Sequence, residues 1–477
     1  MKYKPLILIL TAMLMTQAVS CEQTGEVNLN KLDTNPTDSG DTTVSETKYI
    51  DTLPIVDYKG TDFVIIGQSY NARQNFYLDE KTGDVCNDAL YDRDLAVIER
   101  LNVNLVYESR DDRSVLTTDV QKSVLADDEA YHLVMNSLSG GINTLTFGNL
   151  LYDLQKLPYL SLSSSLWNAS ILENMTFNGS LFFTTGPISL QYFMTPIAMM
   201  MNNRLAEDYS IPNIYKTVLD GDWTLDLLHS YIKDVASDLN SDGKMDNEDF
   251  YGLIVDGTFG NVLYNSSGYN NIDDNYTLLL DSDLSVEIID KVTNMFGSRD
   301  NVFNDRMGEG TVVDIFKEGR AIFMDHTILG ISNMRDMEDD FSIIPTPKYD
   351  ETQSAYLTTC NTWLPSGVCV PKYCSDPERT GLVTETMAYY SELYLTPATY
   401  EVTLKGKVAR DDNSSLMLDL IYENAYFDMV TVFNFNDTAT LLRDAALGEV
   451  ENFASRYAAT KATAQATIDN IIAEIEG

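Results

Sequence analysis

Phe63-Val64-Ile65-Ile66-Gly67 is a short apolar run closed by glycine, and it predicts a buried β-strand. A helical pattern follows over residues 87–101, with Asn87 as a possible N-cap, and 103–107 again has the pattern of a strand. Apolar residues four apart predict a second helix over 116–124, before a strand at 132–135. This alternation predicts a parallel sheet with helices packed on it.

Later segments extend the same pattern. Asn178-Gly179 lies between two apolar stretches and predicts a hairpin, while Thr224 is a candidate N-cap at the start of another helix. The remaining predicted elements are strands near 196–201, 251–255, 321–324 and 341–344 and a final helix over about 450–475.

Polar residues follow two of the predicted strands. Gln68 and Ser69 come after the first strand, and Asn136 and Ser137 come after the third. Ligands of such sheets bind beyond the carboxyl ends of the strands. These four residues are therefore ligand-binding candidates.

The N-terminus has the layout of a secretory signal. Two lysines precede an apolar run over 6–15, which is too short to cross a bilayer as a helix, and Ala18-Val19-Ser20-Cys21 follows. The pattern resembles a lipobox, so we expect a signal peptide over 1–20 and lipidation of Cys21. Residues 21–48 are polar and acidic, and they predict a disordered tether.

Composition excludes several functions. The chain has 72 acidic and 32 basic residues and a formal net charge of −40, which argues against nucleic-acid binding. Cys86, Cys360, Cys369 and Cys374 form no CxxC pair, so a zinc site is not expected, and their disulfide state stays open. With three histidines in the chain, a histidine-based triad has little support.

Residues 238–249 match a twelve-residue calcium loop. Gly243 stands at its sixth position, where calcium loops need a sharp turn. Because the loop leads into a predicted strand and not into a second helix, we expect Ca²⁺ to stabilise the protein and not to regulate it. The predicted ligands are Asp238, Asn240, Asp242, the Lys244 carbonyl, Asp246 and Asp249.

Several stretches, taken in order, resemble the extracellular solute-binding proteins of bacterial ABC importers, the group that includes maltose-binding protein. The resemblance begins near residue 60 and covers most of the chain after it. Its main stretches are Asn87–Arg93, Leu150–Leu154, Asp220–Thr224, the calcium loop running into Tyr251–Leu253, Lys317–Phe323, Ile344–Asp350, Lys405–Asp412 and Met417–Ile421.

The resemblance implies an α/β, periplasmic-binding-protein-like fold of type II, with a ligand cleft between two discontinuous lobes. It assigns 50–190 and 310–345 to one lobe and 192–308 and 362–477 to the other, with hinges near Gly186-Pro187 and 345–347. It implies a monomeric, lipid-anchored receptor at the outer face of the membrane. This receptor would capture a small solute, a carbohydrate or oligosaccharide, and deliver it to ABC permease subunits without catalysis.

Sugar sites combine an aromatic platform with amide, carboxylate and guanidinium groups. Trp363 is the preferred platform, and Trp223 is expected to have a structural packing role. Trp167 is open between a lobe-surface anchor and a cleft residue. The further ligand candidates are Asp325 and His326 after a predicted strand, and Tyr264, Asn265 and Tyr269 in a Gly/Ser/Asn-rich loop.

Two other functions remain open. A secreted glycoside hydrolase would need two carboxylates flanking a bond, and no spacing in the chain singles out such a pair. A calcium-dependent adhesion or scaffold module of the dockerin kind would be expected to carry two calcium loops, and the sequence contains one match.

Overall fold

The computed structural model describes residues 49–69, 77–298, 300–305, 311–334, 336–409 and 411–476. The predicted signal peptide over 1–20, the tether over 21–48 and Cys21 lie outside the described residues.

The strands form two five-stranded sheets and one two-stranded sheet. Their bounds are β1 Thr61–Gln68, β2 Val103–Arg110, β3 Leu133–Asn136, β4 Thr184–Thr185, β5 Ile197–Asn202, β6 Tyr251–Asp256, β7 Val302–Asp305, β8 Ala321–Thr327, β9 Phe341–Ile344, β10 Thr358–Thr359, β11 Gly367–Cys369 and β12 Ala425–Tyr426.

The helices cover both large sheets and form most of the last hundred residues. Their bounds are α1 Val85–Leu101, α2 Arg113–Ala126, α3 Asn143–Phe147, α4 Ala169–Asn174, α5 Asn203–Asp208, α6 Ile214–Leu219, α7 Leu225–Ile232, α8 Phe259–Asn265, α9 Asp283–Phe296, α10 Thr311–Lys317, α11 Ile328–Ser332, α12 Pro377–Thr396, α13 Asp412–Glu423, α14 Met429–Phe433, α15 Thr438–Ala446 and α16 Phe453–Glu476.

The first sheet has the order β2-β1-β3-β11-β4. Strand β1 pairs in parallel with β2 and β3, as the alternating pattern predicted. The apolar run is buried on both faces, since Phe63, Ile65 and Ile66 are all inaccessible to solvent. Helix α1 begins two residues before the predicted start because Asp84 caps it by accepting the N–H groups of Cys86 and Asn87.

The second sheet has the order β7-β6-β8-β5-β9, in which β6 pairs in parallel with β7 and β8 while β5 runs antiparallel to β8 and β9. The predicted strands at 196–201, 251–255, 321–324 and 341–344 are all confirmed within a few residues. The predicted cap of α7 is confirmed as well, because the Thr224 side chain accepts the Leu227 N–H.

The distribution of segments between the lobes differs from the expected one. Residues 310–345 were assigned to the first lobe, yet β8 and β9 pair with β5 and β6 in the second sheet. Conversely β11 pairs with β3 and β4 in the first sheet, and α12 packs on α1, so 362–396 belong with the first sheet. Chain order could not reveal this, because a strand joins the sheet that supplies its hydrogen bonds.

Three passages carry the chain between the two sheets before α13. Residues 186–196 lead from β4 to β5 and residues 345–366 from β9 to β11, which fits the two expected hinge regions. The third passage is a π-helical segment, Pro397–Val408, which continues α12 towards α13. The small β10–β12 sheet joins the second passage to the chain that follows α13.

Two smaller features complete the fold. The predicted hairpin at Asn178-Gly179 is a turn with positive φ at both residues, but its strands reduce to one bridge between Phe177 and Ser180. The four cysteines at 86, 360, 369 and 374 are free thiols. Within the part of the chain that the structure describes, no helix has the length and apolar character needed to cross a membrane.

Candidate functional site

A small cavity lies where the ends of the two large sheets come together. In the first sheet β11 begins where β3 ends, since Gly367 pairs with Asn136, and in the second sheet β5 begins where β8 ends, since Ile197 pairs with Thr327. The lining residues are Ile197, Thr258, Asn261, Thr359, Cys360, Asn361, Thr362, Trp363, Thr431, Asn434, Ala439, Thr440 and Arg443.

Trp363 is the aromatic side chain of this cavity. Its exposed fraction is 43%, which is unusual for so large an apolar group. The Arg113 guanidinium lies over the indole, 4.6 Å from the ring centroid. Gly140 has a φ of +72°, and a Cβ built there would come within 3.0 Å of the Trp363 ring. Glycine is therefore the residue that lets the ring lie against this loop.

Gln68, Asn136 and Ser137 are brought together beneath Trp363, although none of them lines the cavity. The Ser137 hydroxyl lies 2.7 Å from the Trp363 carbonyl oxygen and 3.0 Å from Gln68 Oε1, so it can donate to either acceptor. Asn136 donates through Nδ2 to Thr117 Oγ1 at 3.2 Å. All three are buried, and they support the tryptophan backbone from below.

Ser69 lies at the same end of β1 and is half-buried, with its hydroxyl against that of Ser109. Its backbone N–H donates to the Arg110 carbonyl at 3.0 Å, which continues the β1–β2 pairing by one residue. Ser69 therefore extends the β1–β2 pairing and does not line the cavity.

The three candidates from the Gly/Ser/Asn-rich loop do not reach the cavity. Tyr264 is fully buried, and its hydroxyl lies 2.7 Å from Ser285 Oγ. Asn265 is buried on the same short helix, and Tyr269 is half-buried against the core. Tyr264 and Asn265 lie in α8 and not in the predicted loop, and the helix buries both side chains.

Asp325 and His326 were expected after a strand ending at Met324, but β8 continues to Thr327 and contains both. Asp325 is fully buried between Met199 and Val255 on the neighbouring strands, and neither of its oxygens has a hydrogen-bond partner among the described residues. Burial raises the pKa of the Asp325 carboxyl well above its ordinary value, and the nearby Asp256 adds to that effect.

His326 is half-buried on the opposite face of the same strand, where burial lowers the pKa of its imidazole. Its Nδ1 lies 3.1 Å from Thr327 Oγ1. Neither His326 nor Asp325 lines the cavity.

The other two tryptophans are core residues. Trp223 is fully buried, and its indole N–H donates to the Pro345 carbonyl at 2.9 Å, which confirms the packing role predicted for it. Trp167 is almost fully buried, donates through Nε1 to Glu385 Oε2 at 3.1 Å, and does not line the cavity that contains Trp363.

Most of the polar residues that line the cavity belong to segments in which the sequence predicted no ligand-binding residue. Asn261 and Thr258 come from the start of α8, and Asn434, Thr440 and Arg443 come from α14 and α15 near the C-terminus. Asn261 Oδ1 is buried and has no hydrogen-bond partner in the part of the chain that the structure describes, and Arg443 pairs with Asp444 at 2.7 Å. Asn434, Asn436 and Asp437 have left-handed φ values in the irregular turn between α14 and α15, and no sequence motif predicted this turn.

The predicted calcium loop lies outside this cavity. The two oxygens of Asp238 accept the N–H groups of Ser241 at 2.6 Å and Gly243 at 2.8 Å, and the buried Asp249 accepts those of Leu239 and Asp246 at 2.9 Å. Among the described residues, no three His, Cys, Asp or Glu side chains form a group able to hold a metal ion. Calcium binding therefore stays a prediction.

The sequence matches no protein-family model and no curated protein. The fold resembles that of the cyclic α-maltosyl-1,6-maltose binding protein from Arthrobacter globiformis, with a TM-score of 0.57 and 13% identity over 86% of this chain and 100% of that one. It also resembles the galacto-N-biose/lacto-N-biose I-binding protein of the ABC transporter from Bifidobacterium longum, with a TM-score of 0.57 and 14% identity over 87% and 98%.

A third similar structure is an ABC substrate-binding protein from Listeria monocytogenes in complex with cycloalternan, with a TM-score of 0.51 and 12% identity over 87% of this chain and 99% of that one. At such identities the likeness concerns the fold. The chain therefore has the two-lobed α/β fold of the maltose-binding-protein-like substrate-binding proteins, as the sequence resemblance predicted.

Proposed function

We propose that this protein is the saccharide receptor of an ABC importer, which binds its ligand in the cavity between the two sheets. The observation that carries the proposal is the exposed indole of Trp363 within a lining of amides and hydroxyls. Sugar rings present apolar C–H faces to an aromatic platform and a rim of hydroxyls to polar side chains. Trp363, Asn261, Asn361 and Asn434 offer both kinds of contact.

Three chain passages join the parts that carry the lining, and this arrangement suits closure on a ligand. A ligand that contacts both sides would favour the closed state and slow its own release. Closure would also create the shape that permease subunits recognise. We propose that the receptor is monomeric and is held at the outer face of the membrane by a lipid on Cys21.

The ligands of similar structures also support a carbohydrate ligand. Two of them bind cyclic α-maltosyl-1,6-maltose and lacto-N-biose, and a third was solved with cycloalternan. Each shares the fold over more than four fifths of this chain, with coverage of 87%, 86% and 87%. A carbohydrate ligand is therefore the first class to test.

The lining weighs against a glycoside hydrolase. Hydrolysis of a glycosidic bond needs two carboxyl groups flanking the scissile bond. The residues that line the cavity include no Asp and no Glu. Binding without catalysis is therefore the function that this cavity supports.

We also propose that residues 238–249 bind Ca²⁺ as a structural ion. Asp242 and Asp246 each use one oxygen to accept a neighbouring N–H, from Lys244 at 2.8 Å and from Glu248 at 2.9 Å. The second oxygen of each carboxylate would then turn to the ion. Because this loop lies away from the cavity lining, the ion would act on stability alone.

A thermal-shift screen tests the receptor proposal. The full chain is heated with mono- and oligosaccharides, with peptides as controls, and each hit is measured by calorimetry on wild type and on Trp363→Ala. We expect saccharides to raise Tm and the variant to lose binding. Stabilisation by peptides alone would overturn the saccharide assignment, and cleavage of an intact oligosaccharide during incubation would overturn the non-catalytic one.

A further inference from the structure

The candidate cavity differs in charge from the rest of this acidic protein. The chain carries 72 acidic and 32 basic residues. Two larger cavities follow that bias: the lining of one includes Glu173, Asp273, Asp274 and Asp428, and that of the other includes Glu173, Asp419 and Glu423. The lining of the candidate cavity has no carboxylate and includes Arg443.

Arg113 adds a second guanidinium beside the same cavity. It is half-buried and lies over the Trp363 ring, while its guanidinium makes no ion pair and no hydrogen bond with any described residue. Arg110, at the end of β2, shows the usual alternative, because it pairs with Glu108 at 3.0 Å and Asp119 at 2.8 Å.

The carboxylate nearest to Arg113 in sequence has another role. Asp112 accepts the N–H groups of Ser114 at 2.7 Å and Val115 at 3.0 Å, and it caps α2 in doing so. The N–H donors of the Arg113 guanidinium are therefore not accepted by any described residue, and they can donate to a ligand.

Arg443 is only partly satisfied within the protein. It donates through Nε and Nη2 to one oxygen of Asp444, at 2.9 and 2.7 Å. Its Nη1 donates to none of the described residues. A guanidinium has five N–H donors and no acceptor. Arg113 beside the cavity and Arg443 in its lining thus retain N–H donors that no described residue accepts, and an acceptor-rich, negatively charged ligand would match them.

Neutral saccharides place different demands on a site. Their hydroxyls donate as well as accept, and carboxylates are the strong acceptors that match those donors. The residues lining this cavity supply amide and hydroxyl acceptors only. A ligand that brings its own anionic acceptor fits the donor surplus better than one with hydroxyls alone.

We propose that the ligand is an anionic saccharide whose carboxylate, as in a uronic acid, is received by the Arg113 guanidinium, which lies over one face of the Trp363 ring. This inference rests on the proposed saccharide-receptor function and names the class of sugar. The planar carboxylate matches the guanidinium fork, which can donate two parallel hydrogen bonds to it. The indole would carry the C–H face of the same sugar residue.

The test compares ligands that share a skeleton and differ in charge. Calorimetry measures Kd for digalacturonate, for its dimethyl ester and for a neutral galactose disaccharide, with phosphorylated and sulfated galactose as separate arms. We expect wild type to prefer digalacturonate to its ester by at least about tenfold. The preference should shrink as salt is raised, since salt screens exposed charges.

Variants of Arg113 separate charge from shape. Arg113→Gln should reduce the preference for the acid over the ester about tenfold, and Arg113→Lys should restore only part of it because the planar fork is missing. Arg456→Gln is the matched control, since Arg456 is exposed on α16 and away from the cavity. It should leave the preference unchanged.

The outcomes are distinguishable. Equal or tighter binding of the ester or the neutral disaccharide would overturn the anionic ligand while leaving the receptor function intact. A preference for the phosphorylated or sulfated sugar over digalacturonate would overturn the carboxylate. The absence of binding to every saccharide would overturn the anionic ligand and the proposed function together.

Discussion

The Ser139 hydroxyl lies 2.7 Å from Thr362 Oγ1, and the Ser139 backbone N–H donates to the Thr362 carbonyl at 2.9 Å. These two bonds join the loop after β3 to the second passage between the sheets, one residue before Trp363. Asn361 on the same segment donates its backbone N–H to the Thr195 carbonyl at 2.8 Å. The platform is therefore held in place from both sheets at once.

Trp363 should supply most of the aromatic contact with the ligand. Trp363→Ala should weaken saccharide binding by at least about tenfold, and Trp363→Phe by less, because a smaller ring still offers an apolar face. Calorimetry measures the change in Kd. Fluorescence gives a second check, because Trp363 is 43% exposed while Trp167 and Trp223 are 4% and 0% exposed. Ligand-dependent emission that persists in Trp363→Phe would contradict this role.

Thr362→Val should misplace the platform. The change keeps the shape of the side chain but leaves Ser139 Oγ without its Thr362 partner, so we expect a loss of about 1 kcal/mol in the free energy of unfolding and weaker saccharide binding.

Thr358→Val is the matched control for this change. The Thr358 hydroxyl is buried in the same segment and makes no hydrogen bond to any residue that the structure describes, so its removal should be neutral or stabilising. Chemical denaturation and calorimetry on both variants make the comparison. Equal destabilisation by the two substitutions would show that the Ser139–Thr362 bond does not position this segment.

Asp325 should make stability fall as pH rises. Burial raises the pKa of its carboxyl in the folded state, so the folded protein holds this proton more tightly than the unfolded chain. Above the unfolded pKa of about 3.9, stability then falls by about 1.4 kcal/mol per pH unit until the folded pKa is reached. Asp325→Asn removes this pH-dependent loss of folding stability.

The melting temperatures of Asp325→Asn and wild type should therefore be similar near pH 4 and diverge in favour of the variant as pH rises. Burial also raises the pKa values of Glu385 and Asp428, but both residues are present in both proteins and cancel in the comparison. A melting-temperature difference that is constant between pH 4 and pH 8 would rule out a titrating Asp325.

Calcium should stabilise the protein through residues 238–249. EDTA should lower the Tm of wild type, added Ca²⁺ should restore it, and Asp242→Ala should abolish the response. Asp128→Ala, an exposed carboxylate in a loop away from both sites, serves as the control and should keep the response. A wild-type Tm that is the same in EDTA and in excess Ca²⁺ would argue against a bound ion.

Local sequence patterns predicted most individual elements. The buried run 63–67, the α1 and α2 helices and the strands β5, β6, β8 and β9 occur within a few residues of their predicted places. Periodicity suffices for these because each one buries an apolar face. The sheet to which β8 belongs could not be predicted in this way, because its apolar pattern suits either sheet. Its pairing with β6 shows that it belongs to the second sheet, which places 310–345 in the other lobe.

The candidate site was only partly predictable. Trp363 stood out as an aromatic residue in a polar loop, and Gln68, Asn136 and Ser137 were found from their positions after strands. The structure turns those three into supports for the tryptophan. Asp325 followed the same rule and is buried instead, because β8 extends three residues further than its apolar pattern.

The sequence by itself determined the alternating α/β elements, the acidic surface and one candidate for the aromatic platform, because these depend on residue type and on spacing along the chain. Tertiary structure alone decided the lobe of each strand and the lining of the cavity. Arg113, Trp363 and Arg443 come from three distant segments, and only the pairing of strands and the packing of helices brings them to one site. Local periodicity does not specify hydrogen-bond pairing or packing between distant segments, so the residues that line the cavity could not be predicted from it.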